Sequence, residues 1–535
     1  MTEAASGFKL GRLKLFGNII ERLKSLREEM YIDNDLLFIL TYMASISTAQ
    51  INRDKIFEKT SEKVEYAPSK YFKKIKDLAQ NWHYDYATAC ELIARKVKHE
   101  RLKNLLNRFS NAISAGEPDR DFLEHEWKAF KTIRKDEFER SLESLKKWAD
   151  AYTALLVSSS LISVIILLSV VIYKAGDPAQ TLYFSVFGIF LISLFGVGML
   201  YRSVPKDVKT HNLEVKSREQ YLIKKWSPIC LVLAALSFTA ISVIPTMLNI
   251  SVFRDYTGLG FVIAGAMILP LGMLGKIDDR KVSDRDEKFA VFIRNLGSIV
   301  SGAGVSVVEA LSRIDQKNLG ELKDPVNILY KRLAMGLDPK ICWDRFIGEC
   351  GSYIIHKLTS IFVDAVNLGG DADIVSEIVS SSNLEMVLLR MKRDLISSGF
   401  LGLIIPLHAA MASLVIFITE ILTIFTQFID YLFKTFFAKM GGSTTNVVQN
   451  ISIGLNLGIF EGLPVELLHQ YTFLIILAIT ISNTLASKIV KGGNNYLLYY
   501  YGSILLIISG IVMLVVPPIV NAAFSLPSFM EVGGK

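Results

Sequence analysis

The sequence is poor in cysteine. Cys90, Cys230, Cys342 and Cys350 are the four it has in 535 residues. None forms a C-x-x-C pair, which excludes a disulfide scaffold and points to a reducing compartment. There is no charged segment followed by a short apolar run and a cleavage site, so no secretory signal peptide is predicted. Residues 1–150 lack any apolar run long enough to cross a bilayer. Catalytic signatures are missing as well. Gly272-Met-Leu-Gly275-Lys276-Ile277 comes nearest to a phosphate-binding loop, but it is too short and lacks the hydroxyl residue. Neither H-E-x-x-H nor G-x-S-x-G occurs. Cys342 and Cys350 with His356 have irregular spacing and no fourth ligand, so they read as core residues and not as a metal site. The expectation is therefore a protein that is not an enzyme and holds no cofactor and no metal. Any work it does must draw energy from a partner.

What is present is an unusual pairing. The chain is 51% hydrophobic and still 21% charged, with a mean hydropathy of +0.36. Few soluble proteins are so apolar, and few simple membrane bundles keep so many charges, so the two must be segregated along the chain. Uninterrupted apolar runs cover Ala154–Tyr173, Leu182–Leu200, Pro228–Leu248, Gly258–Leu274, Gly399–Phe425, Tyr471–Ser487 and Tyr499–Pro517. A bilayer core about 30 Å thick needs roughly 20 helical residues, which predicts seven spans. Charge orients them. With the N-terminus inside, the outer parts hold only Lys174, Arg254, Lys434, Lys439 and Lys535 of the 59 Lys and Arg residues. The short inner loop 201–227 is strongly basic, so an inside N-terminus and an outside C-terminus are expected in the cell membrane.

Between the apolar runs lie two charge-rich modules that read as helical. Phe289, Phe292, Ile293, Leu296, Ile299 and Val300 make one apolar stripe at helical spacing, and Leu102, Leu105, Leu106, Phe109 and Ile113 another. The modules are related. An offset of about 253 residues aligns Leu102, Leu105, Phe109, Ile113 and Gly116 with Ile355, Leu358, Phe362, Val366 and Gly369. Slipped by one residue, the same offset aligns Ala49-Gln50-Ile51 with Ala303-Gly304-Val305. Each module runs straight into an apolar span, so one unit is used twice. Gly116 and Gly369 (with Gly370 after it) are expected to end helices, and Gly302-Ala303-Gly304 to form a tight turn. The organisation predicted is a basic amphipathic helix in 1–30, a cytoplasmic module in 31–153 and four spans in 154–274. A second cytoplasmic module in 275–398 follows, then three spans in 399–535 with an outer loop over 426–470. The fold class is all-α: a polytopic membrane protein with two repeated helical-bundle modules.

The stretch from Phe289 through Gly302-Ala-Gly304-Val to Val308-Glu309-Ala310-Leu311 resembles the opening helix-turn-helix of type II secretion system F domains. Asp364-Ala-Val-Asn-Leu-Gly-Gly-Asp371 is similar to that family's later glycine after a helix. The likeness is strong over 276–425 and faint over 35–175, where Ala49-Gln50-Ile51-Asn52 lacks the Gly-x-Gly turn. The span count and the basic loop between the modules look like the archaeal branch of the family, the archaellum and pilus platforms. The resemblance implies a non-enzymatic inner-membrane platform. A hexameric secretion-type ATPase would engage it from the cytoplasm, and prepilin- or archaellin-like subunits would be added at the filament base. A homodimer beneath the filament fits that role. The alternative from a different class is a membrane transporter with cytoplasmic regulatory bundles. Nucleic acid is not an expected partner, because acids dilute the basic residues of the first module.

Three groups of residues stand out for function. Lys276, Asp278, Asp279, Arg280, Lys281, Asp284, Arg285, Asp286, Glu287 and Lys288 form a mixed-sign block just inside the fourth span. The block reads equally as a docking surface for the charged ATPase and as an ordinary solvated helix face. Arg390, Lys392 and Arg393 read as anchors on the lipid surface. His408 and Glu420 are the ionisable residues within a span. They are too far apart to pair, and they read as packed polar residues beside the bend expected at Pro406.

Overall fold

The computed structural model describes residues 32–33, 35–173, 177–248, 256–439 and 465–524. The basic helix expected in 1–30 and most of the 426–470 loop lie outside these residues. The described chain is helical and has no strands. It divides into two compact units. One comprises 1–139, 207–217 and 281–390, the other 140–206, 218–280 and 391–535.

In the first unit, α1 (Asp35–Ser47), α2 (Arg53–Glu62), α3 (Ser69–Trp82), α4 (Tyr86–Lys96) and α5 (Glu100–Ala115) precede the long α6 (Asp119–Tyr173). The next helices are α7 (Pro178–Ser203), α8 (Arg218–Met247) and α9 (Thr257–Ala303). After α9 the first pattern recurs in α10 (Val307–Arg313), α11 (Lys323–Ala334), α12 (Pro339–Cys350), α13 (Tyr353–Asn367) and the long α14 (Ala372–Lys439). Two more helices, α15 (Val465–Lys491) and α16 (Leu497–Ala523), complete the order.

The recurrence extends to the caps. Asn52 and Ser306 cap α2 and α10 by accepting from Lys55 N and Glu309 N. Asp85 and Asp338 do so for α4 and α12, and His99 and Ser352 for α5 and α13. A polar side chain at each start satisfies a backbone N–H that the helix leaves open. Both α5 and α13 end in the same pair of bonds. Gly116 N–H donates to Ile113 O and Glu117 N–H to Ala112 O, and Gly369 and Gly370 repeat this with Val366 O and Ala365 O. The left-handed residue that permits the reversal is Gly116 at φ 75° and Gly369 at φ 89°. The repeat read from spacing is thus a repeat of structure.

The apolar faces of the two modules merge into one core. Phe38 of the first module stacks on Tyr66 and meets Tyr353 of the second edge-on, with ring centroids 5.8 Å apart. Trp127 Nε1 donates to Ser382 Oγ at 3.0 Å. A single cluster of buried side chains runs from Ile32 to Val379.

Seven helices among the described residues are long and apolar enough to cross a membrane: α6, α7, α8, α9, α14, α15 and α16. Each contains one of the seven runs read from the sequence. The chain is therefore an all-α, multi-pass membrane protein. In the second unit α15 is the most enclosed of the seven, packed with α7 and α16. Helices α9 and α16 meet along a glycine seam. A Cβ on Gly258 would lie 2.7 Å from Gly510 O, one on Gly265 2.7 Å from the Ile507 side chain, and one on Gly272 2.6 Å from Tyr500 Cα. The three glycines recur every seven residues, a spacing that keeps one narrow stripe against a neighbouring helix. Between membrane helices such small residues allow close backbone approach, where dispersion forces replace the absent hydrophobic drive. The sequence carried this signal, and the span count alone did not use it.

Candidate functional site

The charged block of 276–288 splits by helix face. Asp278, Asp279, Arg285 and Asp286 are buried, which does not suit a docking role for them. Lys276, Arg280 and Glu287 are exposed, and Lys281, Asp284 and Lys288 half-buried. The inward four are committed to other segments. Asp278 Oδ2 accepts from Gln220 Nε2 at 3.2 Å and from Asn494 Nδ2 at 3.1 Å. Asp279 Oδ1 occupies the space a side chain at Gly493 would need. Together they hold the turn between α15 and α16. Arg285 donates to Cys350 O at 3.0 Å, supplying a cation and a donor to the open carbonyls at the end of α12. Ser352 Oγ donates to Asp286. Even the exposed Lys276 is partly engaged, its ammonium 2.8 Å from Tyr500 Oη and above that ring.

Asp286 also belongs to a strap. Arg390 donates to both carboxylate oxygens of Asp207, at 2.6 and 3.0 Å, and to Asp286 Oδ2 at 2.6 Å. It also reaches Val208 O. Segment 207–217 is thereby laid on the second module, where Tyr353 N–H donates to Lys209 O and Thr210 forms an isolated bridge with Ser352. Burial pushes the Asp286 carboxyl up to about 6 despite the Arg390 charge beside it. Arg390 is therefore no lipid anchor. Arg393 is buried too, donating to Ile489 O at 2.9 Å and Val490 O at 3.3 Å, where it closes the C-terminal end of α15. Both guanidiniums have several fixed acceptors within the protein, and periodicity cannot show acceptors about a hundred residues away.

His211 of the strap meets His356 edge-on, centroids 6.1 Å apart. Glu65 Oε2 lies 3.6 Å from His356 Nε2 and 3.1 Å from Lys357 Nζ. Lys357 is almost wholly buried, with its ammonium over the Tyr66 ring at 4.2 Å. Burial, with Lys357, His211 and Lys63 nearby, pulls the His356 imidazole down to about 4, against the pull of Glu65. No group of three or more His, Cys, Asp or Glu among the described residues could hold a metal ion.

Of the expected turn glycines, Gly116 and Gly369 sit at the helix ends already described. Gly304 turns the chain at φ 61°. Gly302 still lies within α9, so it plays no part in the reversal. In the first module the same left-handed place is taken by Gln50 at φ 51°.

Within the membrane unit, His408 joins a buried chain of hydrogen bonds across four helices. Tyr152 Oη donates to Asn483 Oδ1 at 2.9 Å. Asn483 Nδ2 meets His408 Nδ1 at 3.0 Å. His408 Nε2 meets Ser509 Oγ at 2.8 Å, and Ser509 meets Thr480 Oγ1 at 2.8 Å. Polar groups in lipid need such partners, and the packed reading of His408 fits this geometry. Glu420 instead lines a cavity of about 640 Å³ with Thr419, Glu466, His469 and Gln470. Its Oε1 lies 3.9 Å from His469 Nδ1.

Comparison with known proteins places these features in a family context. Residues 39–167 match the family model described as type II secretion system (T2SS), protein F. The match falls on the first module, where the likeness is faint by motif and Gln50 stands in place of the turn glycine. A flagella accessory protein J of Methanocaldococcus jannaschii is 24% identical over 387 residues, which covers 71% of this chain and 68% of that protein. Another, from Methanococcus voltae, is 22% identical over 393 residues, or 72% and 69%. No solved structure matches. This multi-pass membrane protein is thus similar over residues 39–167 to type II secretion system protein F, and over most of its length to flagella accessory protein J.

Proposed function

We propose that this chain is the membrane platform of an archaellum or type IV pilus-like filament machine. A hexameric secretion-type ATPase docks on the modules from the cytoplasm, and its motion is coupled to insertion of prepilin- or archaellin-like subunits. In this reading the N-terminus and both modules lie inside, the C-terminus outside, and two copies pair beneath the filament. The platform catalyses nothing itself. In the charged block, exposed Arg280 and Glu287 and half-buried Lys281, Asp284 and Lys288 help to orient the engine.

One observation carries the reading. The family match and the relatives coincide with a chain in which α6, α9 and α14 each contribute residues to both units. Such continuous helices suit a part that passes mechanical displacement into a membrane. The test is twofold. Deleting the gene should abolish surface filaments in electron micrographs, with recovery on complementation. The purified full chain should bind the cognate secretion ATPase. Filaments that persist after deletion, or an ATPase that does not bind, would overturn the reading.

A further inference from the structure

Two exposed apolar residues stand at the same place in both copies of the repeat in the first unit. At the turn from α3 to α4, Trp82 is 72% exposed and Tyr84 44%. At the corresponding turn from α11 to α12, Met335 is 71% exposed and Leu337 52%, with Ile341 beyond them. The same 253-residue offset relates Trp82 to Met335 and Tyr84 to Leu337. Between each pair stands a residue in the left-handed conformation, His83 at φ 55° and Gly336 at φ 75°. After each pair comes the helix-capping aspartate, Asp85 or Asp338. The backbone thus aims two apolar side chains outward at the same place in each module, at one turn by means of a strained non-glycine residue.

Folding gains nothing from such exposure. A bare Trp in a pronged turn is the type of residue that dominates a binding interface, and paired exposed hydrophobes mark contact sites more often than chance surface. The surroundings indicate the partner's chemistry. Exposed Lys73 and Lys74 precede the first turn, while Lys331 and Lys340 flank the second. The complement is an apolar pocket with an acidic rim. Display in duplicate calls for a partner that offers the pocket more than once. Lysines beside an aromatic would also suit an anionic bilayer. However, Met and Leu replace the interfacial aromatics in the second copy.

We infer that the α3–α4 and α11–α12 turns are paired docking prongs for a soluble homo-oligomeric protein, each prong entering an acid-rimmed apolar pocket on a different subunit. Taking that protein to be the ATPase rests on the function proposed above.

The experiment measures the Kd of the purified cognate ATPase for the full-length chain in detergent. The variants are W82S/Y84S, M335S/L337S and all four together, each checked for an unchanged melting temperature. Each pair should weaken binding at least tenfold, and all four should abolish it. A benzophenone amino acid at position 84 or 337, which removes no buried contact, should crosslink to the ATPase from both places. If the unaltered chain fails to bind, the proposed function falls. If it binds and the variants bind equally well, or neither position crosslinks, the prongs are refuted. They are also refuted if the variants lose only binding to phosphatidylglycerol vesicles, or only self-association.

Discussion

Gln50 and Gly304 hold the same left-handed turn, at φ 51° and 61°, in the two copies of one repeat. A side chain there costs about 1–2 kcal/mol, which glycine avoids. Replacing Gln50 with Gly should therefore stabilise the protein by about 0.5–1 kcal/mol after allowing for glycine's extra freedom when unfolded. Gly304→Ala should destabilise it by about 1 kcal/mol. Thermal melts of the two variants against the parent check the opposite signs.

The Arg390 fork predicts a local failure. Removing one partner of a buried ion pair leaves the other charge uncompensated, at a cost of about 3–5 kcal/mol. Arg390→Leu takes the guanidinium from both Asp207 and Asp286, and it should free the 207–217 strap before the rest of the unit unfolds. Lys209 is buried in the parent. Tryptic cleavage after Lys209 should rise sharply in the variant, whereas cleavage unchanged from the parent would count against the strap.

Burial of His356 makes the first unit acid-sensitive. His356 titrates near 4 when folded and near 6.5 in the unfolded chain. Its folded pKa is lowered, so the unfolded state binds the extra proton between these values. Stability is full above about pH 6.5 and is lost as pH falls toward 4, by on the order of 2–3 kcal/mol. Raised-pKa Asp286 acts in the opposite sense, since its carboxyl protonates near 6 in the fold and only near 3.8 when unfolded. It makes folding relatively more favourable as pH falls through that window. His356→Gln should thus flatten or invert the decline in melting temperature between pH 7 and 5, and an unchanged slope would dismiss the histidine as its source.

Across the membrane unit, Asn483→Leu removes partners from both Tyr152 and His408, whereas Thr480→Val takes one from Ser509. Hydrogen bonds between membrane helices are worth about 0.6–2 kcal/mol. The Asn483 variant should lose roughly twice as much stability as the Thr480 variant in denaturant titrations.

At the glycine seam, Gly272→Val would press a side chain into the Tyr500 backbone, which cannot step aside. A loss of about 3 kcal/mol is expected. Gly188 has open space where its Cβ would stand, so Gly188→Val serves as the control and should be close to neutral in the same melt.

How much of this was legible depended on range. The spans needed only a long apolar run, which declares itself without knowledge of neighbours, and all seven were found. The repeat was legible because Gly116 and Gly369 end helices for a local backbone reason. The charged block was not legible. Asp278 faces inward because Asn494 returns 216 residues later, and Arg285 because α12 leaves its last carbonyls open beside it. Charge pattern alone cannot separate a solvated face from one that a distant turn covers. The exposed turns went unnoticed for the opposite reason. A Trp beside a His and a Tyr looks like ordinary core until its exposure is known.

The seam between α9 and α16 bears on how such a protein could move. Two helices in contact through glycine cannot slide by a residue without driving a side chain into a carbonyl, nor roll without losing the stripe. They travel as one plank. The membrane half therefore has one fewer independent part than its number of spans. Play must be sought elsewhere, for instance in α8, whose ladder is already loosened by a π-turn at Thr239–Val243.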